Sequence, residues 1–277
     1  MMKEWEIKVL YFGKIEASLS LVWPPMSPPL EEDFSMAAPY LGFLLKSRDR
    51  VILVDTGINE KFIVDGKAWG MLPAEGGAPF VEAALKENGL SREDIETVIL
   101  THLHNDHAGN CGLFPKARFI FQKDEWHNLL SPYPHQKIRN DYDEGIIEEL
   151  RNFKISFADG ILDVDEGVRL YKMPGGHSQG SQVVCVNTAK GNVVLLGDIA
   201  LFNFLAFPQS TEVTDMHGAK HAIPQGSSIY GPAIPHTVIY DSFGFYDAMS
   251  QIRAMVPKDE PGYLIPGHEP SLLVNGV

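Results

Sequence analysis

Three short apolar runs, rich in β-branched residues, give the clearest pattern along the 277-residue chain. They occupy residues 51–54, 98–100 and 193–196. A run that stays apolar instead of alternating predicts a strand covered on both faces. Each run stops at residues that can carry chemistry, since Asp55 follows the first, a histidine-rich segment the second, and Gly197-Asp198 the third.

Helical periodicity separates these predicted strands. Apolar residues three or four positions apart predict helices over 79–88 and 243–256. Gly89 ends the first helix and Pro257 the second, because glycine is favoured at helix C-termini and proline cannot continue a helix. Strands that alternate with helices indicate an α/β fold in which sheets lie between helical layers.

The composition is that of a globular protein. Hydrophobic residues make up 44% of the chain and charged residues 21%, which is ordinary for such proteins. A chain of this length can bury a sizeable core, and we expect a single domain over residues 1–277. The formal charge of −13 would repel a polyanion, so we expect no nucleic-acid partner.

The predicted location is the cytoplasm. The first residues include acids and lack a long apolar stretch, so we expect neither a secretory signal nor a membrane partner. Cys111 and Cys185 have no metal-binding or redox spacing. We therefore expect two buried thiols and no disulfide between them.

The segment 102–107, His-Leu-His-Asn-Asp-His, holds four possible metal ligands within six positions. Extended backbone would place His102 and His104 on the same side. One ion could therefore bind these two imidazoles while a neighbouring ion binds Asp106 and His107. Imidazole and carboxylate suit zinc, and also iron, manganese or cobalt.

Three further donors follow predicted strands and stand next to glycine. They are His177 after Gly176, Asp198 after Gly197, and His268 after Gly267. Glycine allows the close approach of backbone that a compact metal site requires. These residues are candidates for completing a site with two ions.

Two other regions have more than one interpretation. The proline-rich region 23–39 predicts an extended loop, which is a substrate lid, a subunit contact of a homodimer or an ordinary surface loop. The apolar segment 201–207 is an acyl-chain pocket, part of the core or a contact between the subunits of a dimer. His217, His221 and His236 lie among glycines and prolines, and we expect them in a lid or at the surface.

The full series of motif residues resembles the metallo-β-lactamase superfamily. The matching positions, in chain order, are Asp55, His102, His104, Asp106, His107, His177, Asp198 and His268. The resemblance covers nearly the whole chain. It implies an αββα sandwich, with two mixed β-sheets packed face to face, helices outside and a two-metal centre between the sheets.

The same resemblance implies how the ligands divide. The first ion would take His102, His104 and His177. The second would take Asp106, His107 and His268. Asp198 would bridge the two ions, and Asp55 would orient ligands by hydrogen bonds without binding metal.

A pair of divalent ions, expected to be zinc, implies a hydrolase. Ions roughly 3.5–4 Å apart can share a water and lower its pKa to about 7. The resemblance implies that this bridging hydroxide attacks a small-molecule substrate. Asp106 is the expected catalytic side chain, because it could orient the nucleophile or carry a proton to the leaving group.

Within the superfamily, the chain is most similar to the quorum-quenching N-acyl homoserine lactonases. Residues 53–57, Leu-Val-Asp-Thr-Gly, and residues 266–268, Pro-Gly-His, carry this similarity. The resemblance therefore implies hydrolysis of a lactone or similar ester. Lactonases usually place a tyrosine three residues after the bridging aspartate, where it assists the substrate carbonyl, and this chain has Leu201 there. Tyr230 or Tyr240 could take that role.

Other functions stay open at this point. The chain could be another hydrolase of the superfamily, such as a thioesterase of the glyoxalase II type or a phosphotriesterase. It could also be a relative that binds metal without catalysis.

Overall fold

Two β-sheets form the centre of the protein. The computed structural model describes residues 3–236, 239 and 241–277. Within these residues the first sheet contains β1 (Glu6–Ser18), β2 (Ser35–Lys46), β3 (Val51–Val54), β4 (Lys67–Ala68), β5 (Leu72–Gly76), β6 (Thr97–Ile99), β7 (Arg118–Gln122) and β8 (Lys154–Ala158). The following strands are β9 (Ile161–Asp165), β10 (Val168–Lys172), β11 (Gln182–Thr188), β12 (Gly191–Gly197), β13 (Glu212–Thr214), β14 (Lys220–Ala222) and β15 (Leu264–Pro266).

The two sheets divide the chain near residue 160. The hydrogen-bonded order of the first sheet is β4-β5-β1-β2-β3-β6-β7-β8, and that of the second is β15-β12-β11-β10-β9. β13 and β14 form a separate two-stranded ribbon. Both sheets are mixed, since β3 pairs in parallel with β6 while β2 pairs antiparallel with β3, and β12 pairs in parallel with β15.

The helices among the described residues are α1 (Ala78–Glu87), α2 (Asn105–Ala108), α3 (Lys123–Leu130), α4 (Pro134–Arg139), α5 (Ile146–Arg151), α6 (Asn203–Ala206), α7 (Ser242–Arg253) and α8 (Leu272–Asn275). Of these, α1 covers the outer face of the first sheet and α7 that of the second. Leu85 of α1 packs in the same buried cluster as Leu53. Phe245 of α7 packs in the same cluster as Val194.

Apolar side chains fill the space between the two sheets. Phe43 and Val54 of the first sheet share one buried cluster with Leu170 and Leu195 of the second. Successive residues of a strand point to opposite faces, so Val54 faces the second sheet while Leu53 faces a helix. The apolar runs are therefore buried on both sides, and the predicted αββα sandwich is confirmed.

Two element boundaries differ from the sequence predictions by several residues. The second predicted helix ends at Arg253 instead of residue 256, because Met255 already hydrogen-bonds in a tighter turn to Ile252 ahead of Pro257. The predicted loop over 23–39 ends at residue 34, since β2 starts at Ser35 and pairs with Ser18 of β1. No helix among the described residues is both long enough and apolar enough to cross a membrane.

Candidate metal centre

The predicted metal ligands meet at one end of the sandwich. In the first sheet, the parallel strands β3 and β6 bring Asp55 close to the segment that starts at His102. In the second sheet, the parallel strands β12 and β15 bring Asp198 close to His268. The carboxyl ends of parallel strands lie at the same edge of a sheet, which explains why residues so distant in sequence are neighbours.

A three-histidine cluster is formed by His102, His104 and His177, each of which is buried and offers one ring nitrogen within 4.8 Å of the others. Nε2 of His177 lies 2.9 Å from Nδ1 of His104. The His102 ring lies 4.5 Å from that of His104 and 4.7 Å from that of His177, centre to centre.

An Asp/His cluster lies beside it and contains Asp106, His107, Asp198 and His268, again with one donor atom of each within 4.8 Å of the others. Nε2 of His268 lies 3.6 Å from Oδ2 of Asp106. Nε2 of His107 lies 3.8 Å from the same oxygen. All four side chains are buried.

Asp198 connects the two clusters. Its Oδ1 lies 3.1 Å from Nε2 of His107 and 3.2 Å from Nε2 of His268. Its Oδ2 points the other way and lies 3.7 Å from Nε2 of His177. One carboxylate thus presents an oxygen to each cluster.

Glycines provide the space that Asp198 needs. A Cβ atom at Gly267 would lie 2.6 Å from Oδ1 of Asp198, which is closer than packing allows. Gly197 adopts a φ of +52°, a left-handed conformation that glycine reaches without steric cost. The glycines next to Asp198 and His268 are therefore explained by packing within the site.

Burial controls the electrostatics of the three-histidine cluster. It lowers the pKa of His102 and of His177 well below the usual value, and it lowers the pKa of His104 to about 3. These imidazoles are neutral at physiological pH, as metal coordination requires. Burial also opposes the charged form of His107, but the carboxylates of Asp198, Asp106 and Asp55 outweigh it and raise the pKa of His107.

Several buried donor atoms in the two clusters have no hydrogen-bond partner among the described residues. They include Nε2 of His102 and Nε2 of His104, and the close contact between Nε2 of His107 and Oδ1 of Asp198 lacks hydrogen-bond geometry. Leaving a buried polar atom unsatisfied costs about 1–3 kcal/mol. A divalent cation in each cluster would satisfy these atoms, and the donor set of imidazole and carboxylate fits zinc and its neighbours.

A pocket of about 610 Å³ opens onto the centre. Asp106, His177, Asp198 and His268 form part of its wall. The apolar side of the pocket is lined by Ile15, Ala17, Val22, Met36, Ala38, Leu201 and Phe202. Of the segment 201–207, predicted as pocket or core, Leu201 and Phe202 therefore line the pocket, whereas Leu205 and Phe207 are buried in the core.

Comparison with protein families shows to which superfamily the chain belongs. The model of the metallo-beta-lactamase superfamily matches residues 41–268. The chain belongs to this superfamily. The matched region contains both clusters and Asp55.

Curated members of the superfamily include similar proteins named N-acyl homoserine lactonases. The one from Bacillus cereus is 34% identical over 165 residues, which are 57% of this chain and 62% of that protein. AiiB from Agrobacterium fabrum (strain C58) is 27% identical over 235 residues, or 78% of this chain and 74% of AiiB. The chain thus spans less than two thirds of the Bacillus cereus relative.

Solved structures of the superfamily show the same fold. An N-acyl homoserine lactone hydrolase with N-hexanoyl-L-homoserine at its catalytic metal centre superposes with a TM-score of 0.70 at 22% identity, covering 97% of this chain and 94% of its own. AidC, a dizinc quorum-quenching lactonase, superposes with a TM-score of 0.63 at 16% identity, covering 92% and 84%.

Asp55 holds the ligand segment of this site in place by hydrogen bonds. Its carboxylate accepts hydrogen bonds from the backbone N–H of Thr101 at 2.7 Å and from Oγ1 of Thr101 at 2.8 Å. It also accepts one from Nδ1 of His107 at 2.8 Å. Asp55 touches the ligand segment and lies outside both clusters, which agrees with the orienting role that the resemblance implies.

Glu125 is a supporting residue that the sequence analysis did not identify. It is fully buried, and its carboxyl group accepts hydrogen bonds from the N–H groups of Leu103 and Gly180, both at 2.9 Å. It also accepts hydrogen bonds from Oγ of Ser178 and the hydroxyl of Tyr142. Glu125 therefore joins the segment of His102 and His104 to the loop of His177. Its one sequence signal is its position just after β7, at a strand end.

His236 is buried in the pocket wall. Of the two expected locations, a lid or the surface, the surface is wrong, because His236 is 8% exposed and lines the pocket. Its Nε2 donates a hydrogen bond to the backbone oxygen of Asp198 at 2.7 Å, and this contact between distant loops accounts for the burial. His217 is exposed, as expected, and His221 is partly exposed and stacks on Phe34.

Tyr230, one of the two tyrosines proposed as a substitute at Leu201, lies outside the pocket wall. The Tyr230 hydroxyl accepts a hydrogen bond from the N–H of Met26 at 3.1 Å, and Tyr230 does not line the pocket. Tyr240 lies outside the described residues. Leu201 itself lines the pocket with an apolar side chain.

Proposed function

We propose that this protein is a dinuclear-metal hydrolase that opens the ring of a lactone or similar ester, of the N-acyl homoserine lactone type. The convergence of seven buried donors into two adjacent clusters joined by Asp198 carries the proposal. The names of the relatives agree with it. The expected ions are zinc, bound by the three-histidine cluster and by the Asp/His cluster.

Two such ions would supply a hydroxide at neutral pH and polarise the ester carbonyl. The protein's own groups would orient the substrate and transfer the proton of the nucleophilic water. Asp106 lies in the pocket wall next to His268. Its Oδ2 can accept a proton from the nucleophilic water and return it to the oxygen that leaves when the ring opens.

The pocket suits a neutral substrate with an aliphatic chain. Arg139 is the cationic side chain in its wall, and its Nε lies 3.2 Å from Oδ1 of Asp141, so the two charges compensate each other. The apolar side of the pocket can take an acyl chain, since each buried CH₂ contributes about 0.8 kcal/mol. Both features favour an acylated lactone over a charged thioester or a nucleotide.

An assay panel tests the proposal. Zinc-loaded protein is offered N-acyl homoserine lactones of several chain lengths, aryl esters, phosphotriesters and thioesters at equal concentration. We expect the lactones to give the highest kcat/KM. Turnover of thioesters alone would show that the lactonase assignment is wrong, and activity on phosphotriesters alone would favour that alternative.

The cellular setting is part of the same proposal. Both cysteines are free and buried, which supports a reducing compartment such as the cytoplasm. Hydrolysis of acyl lactones there would quench quorum signals.

A further inference from the structure

Tyr40 carries the one tyrosine hydroxyl that has no hydrogen-bond partner in a buried position among the described residues. The side chain is fully buried in β2. A buried hydroxyl without a partner costs about 1–3 kcal/mol, and phenylalanine would fill the same space without that cost. The hydroxyl of Tyr40 therefore calls for an explanation other than packing.

The position of Tyr40 relates it to the candidate metal centre. Tyr40 lines the pocket together with Asp106 and His268. Its ring meets that of His268 edge-on, with centres 6.2 Å apart, and meets that of Trp69 at 6.3 Å. These contacts hold the phenol next to the Asp/His cluster.

The backbone around Tyr40 fixes this placement. The carbonyl oxygen of Pro39 accepts a hydrogen bond from Nδ1 of His268 at 2.9 Å. The neighbouring strand β1 has a β-bulge here. Its register shifts between Tyr11 and Lys14, so that two residues of β1 lie opposite the single residue Tyr40. Such bulges re-aim side chains and are common next to active sites.

The hydroxyl is a permanent donor. Burial raises the pKa of Tyr40 far above its usual value, and the charge of Asp106 raises it further. A phenol has an ordinary pKa of about 10, so the hydroxyl of Tyr40 is a donor at neutral pH.

We propose that the Tyr40 hydroxyl donates a hydrogen bond to the substrate oxygen that gains negative charge as the ester opens. This inference rests on the proposed function. It assigns to β2 the donor that is lacking at Leu201, another residue of the pocket wall. No bond to Tyr40 forms or breaks, since the hydroxyl stabilises charge and keeps its proton.

The Tyr40→Phe variant removes one atom and tests the inference. We expect kcat to fall about 100-fold with KM within about threefold of the wild-type value, as for loss of one oxyanion donor. The melting temperature should stay equal or rise, because an unsatisfied hydroxyl is gone, and two zinc ions should remain bound. A kcat within about twofold of wild type, or loss of an ion from the Asp/His cluster, would overturn the inference.

A second variant tests rescue. Adding Leu201→Tyr to Tyr40→Phe places a phenol at another position of the pocket wall, and we expect it to restore kcat at least about tenfold. The control Tyr230→Phe removes a hydroxyl that bonds to Met26 and should leave kcat unchanged. Failure of the double variant to exceed Tyr40→Phe contradicts the assigned role.

A binding measurement separates this inference from the proposed function. Ring-opened N-hexanoyl homoserine is titrated into the zinc-loaded wild type and Tyr40→Phe by calorimetry. We expect about fivefold to tenfold weaker binding to the variant, the worth of one hydrogen bond. Equal binding overturns the role of Tyr40. Absence of lactone turnover by the wild type would overturn the proposed function. In that case the titration alone tests whether the Tyr40 hydroxyl donates a hydrogen bond to the ligand.

Discussion

Asp55 accepts a hydrogen bond from His107, with Oδ2 of Asp55 2.8 Å from Nδ1 of His107. This bond fixes the imidazole so that its Nε2 faces Asp198 at 3.1 Å. Asp55 adopts a φ of +60°, which is uncommon for a residue other than glycine. Such strain is typical of functional sites, and here it accompanies a carboxylate that also binds Thr101 twice.

The first prediction follows from this pair. Asp55→Asn keeps the shape of the side chain but removes the charge that makes His107 a stronger donor. We expect zinc affinity of the Asp/His cluster to fall about 10-fold to 100-fold, measured by competition with a chelating dye. Asp49→Asn is a matched control, since Asp49 is exposed and pairs with Lys3. Equal zinc affinity of the two variants would contradict the orienting role of Asp55.

The second prediction concerns Glu125. Its carboxyl group serves two backbone N–H groups on separate ligand segments, and the amide of Glu125→Gln would present a donor to one of them. We expect a loss of about 2–4 kcal/mol in the free energy of unfolding, measured by urea titration. Glu93→Gln, at an exposed pair with Lys116, should leave the free energy of unfolding almost unchanged, because exposed ion pairs contribute little to stability. A similar loss in both variants would refute the connecting role.

The sheets between helical layers and the seven candidate ligands could be predicted because their signals are local, whereas the αββα sandwich and the division of the ligands into two clusters were implied by the resemblance to the superfamily. The runs 51–54 and 193–196 stay apolar since both faces of each strand are covered, and the donors directly follow the strand ends. The spacing within 102–107 places four possible ligands together before any long-range folding is considered. Whether these side chains bind metal remains a prediction.

Other parts of the site could not be predicted, because they depend on contacts between distant segments. His236 is buried where it hydrogen-bonds to the backbone oxygen of Asp198. The sequence of its own loop has no periodic pattern that predicts burial. Glu125 is in the polar first turn of α3, where an acid is also typical of an exposed helix start. In the sequence Tyr40 is an ordinary aromatic residue of a strand. Its relation to the site depends on its contact with His268, which lies far along the chain.

A third prediction addresses the apolar side of the pocket. Ala38 lines it opposite Ile15, its partner on β1. Ala38→Phe should fill this space and raise KM at least about tenfold for long-chain acyl lactones, since a few CH₂ groups lose their burial. Short-chain lactones should be much less affected. Ala37→Phe is the control, because its side chain points to the other face of the strand. An equal KM change for all chain lengths would contradict an acyl site here.

The fourth prediction concerns metal removal. The clusters leave buried donor atoms unpaired without a cation, and ligands that bind only the folded state stabilise it. Treatment with a chelator should lower the melting temperature by about 10 °C, the equivalent of roughly 4 kcal/mol. Adding zinc back should restore it. An unchanged melting temperature would contradict metal binding by the clusters, because it would show that they need no cation for stability.

The most direct measurement is an anomalous difference map from crystals of the zinc-loaded protein, recorded at the zinc absorption edge. We predict two peaks per chain. One should lie at bonding distance from His102, His104 and His177, the other from Asp106, His107 and His268, with Asp198 touching both. A single peak, no peak, or an ion that Asp198 does not contact would contradict the dinuclear site.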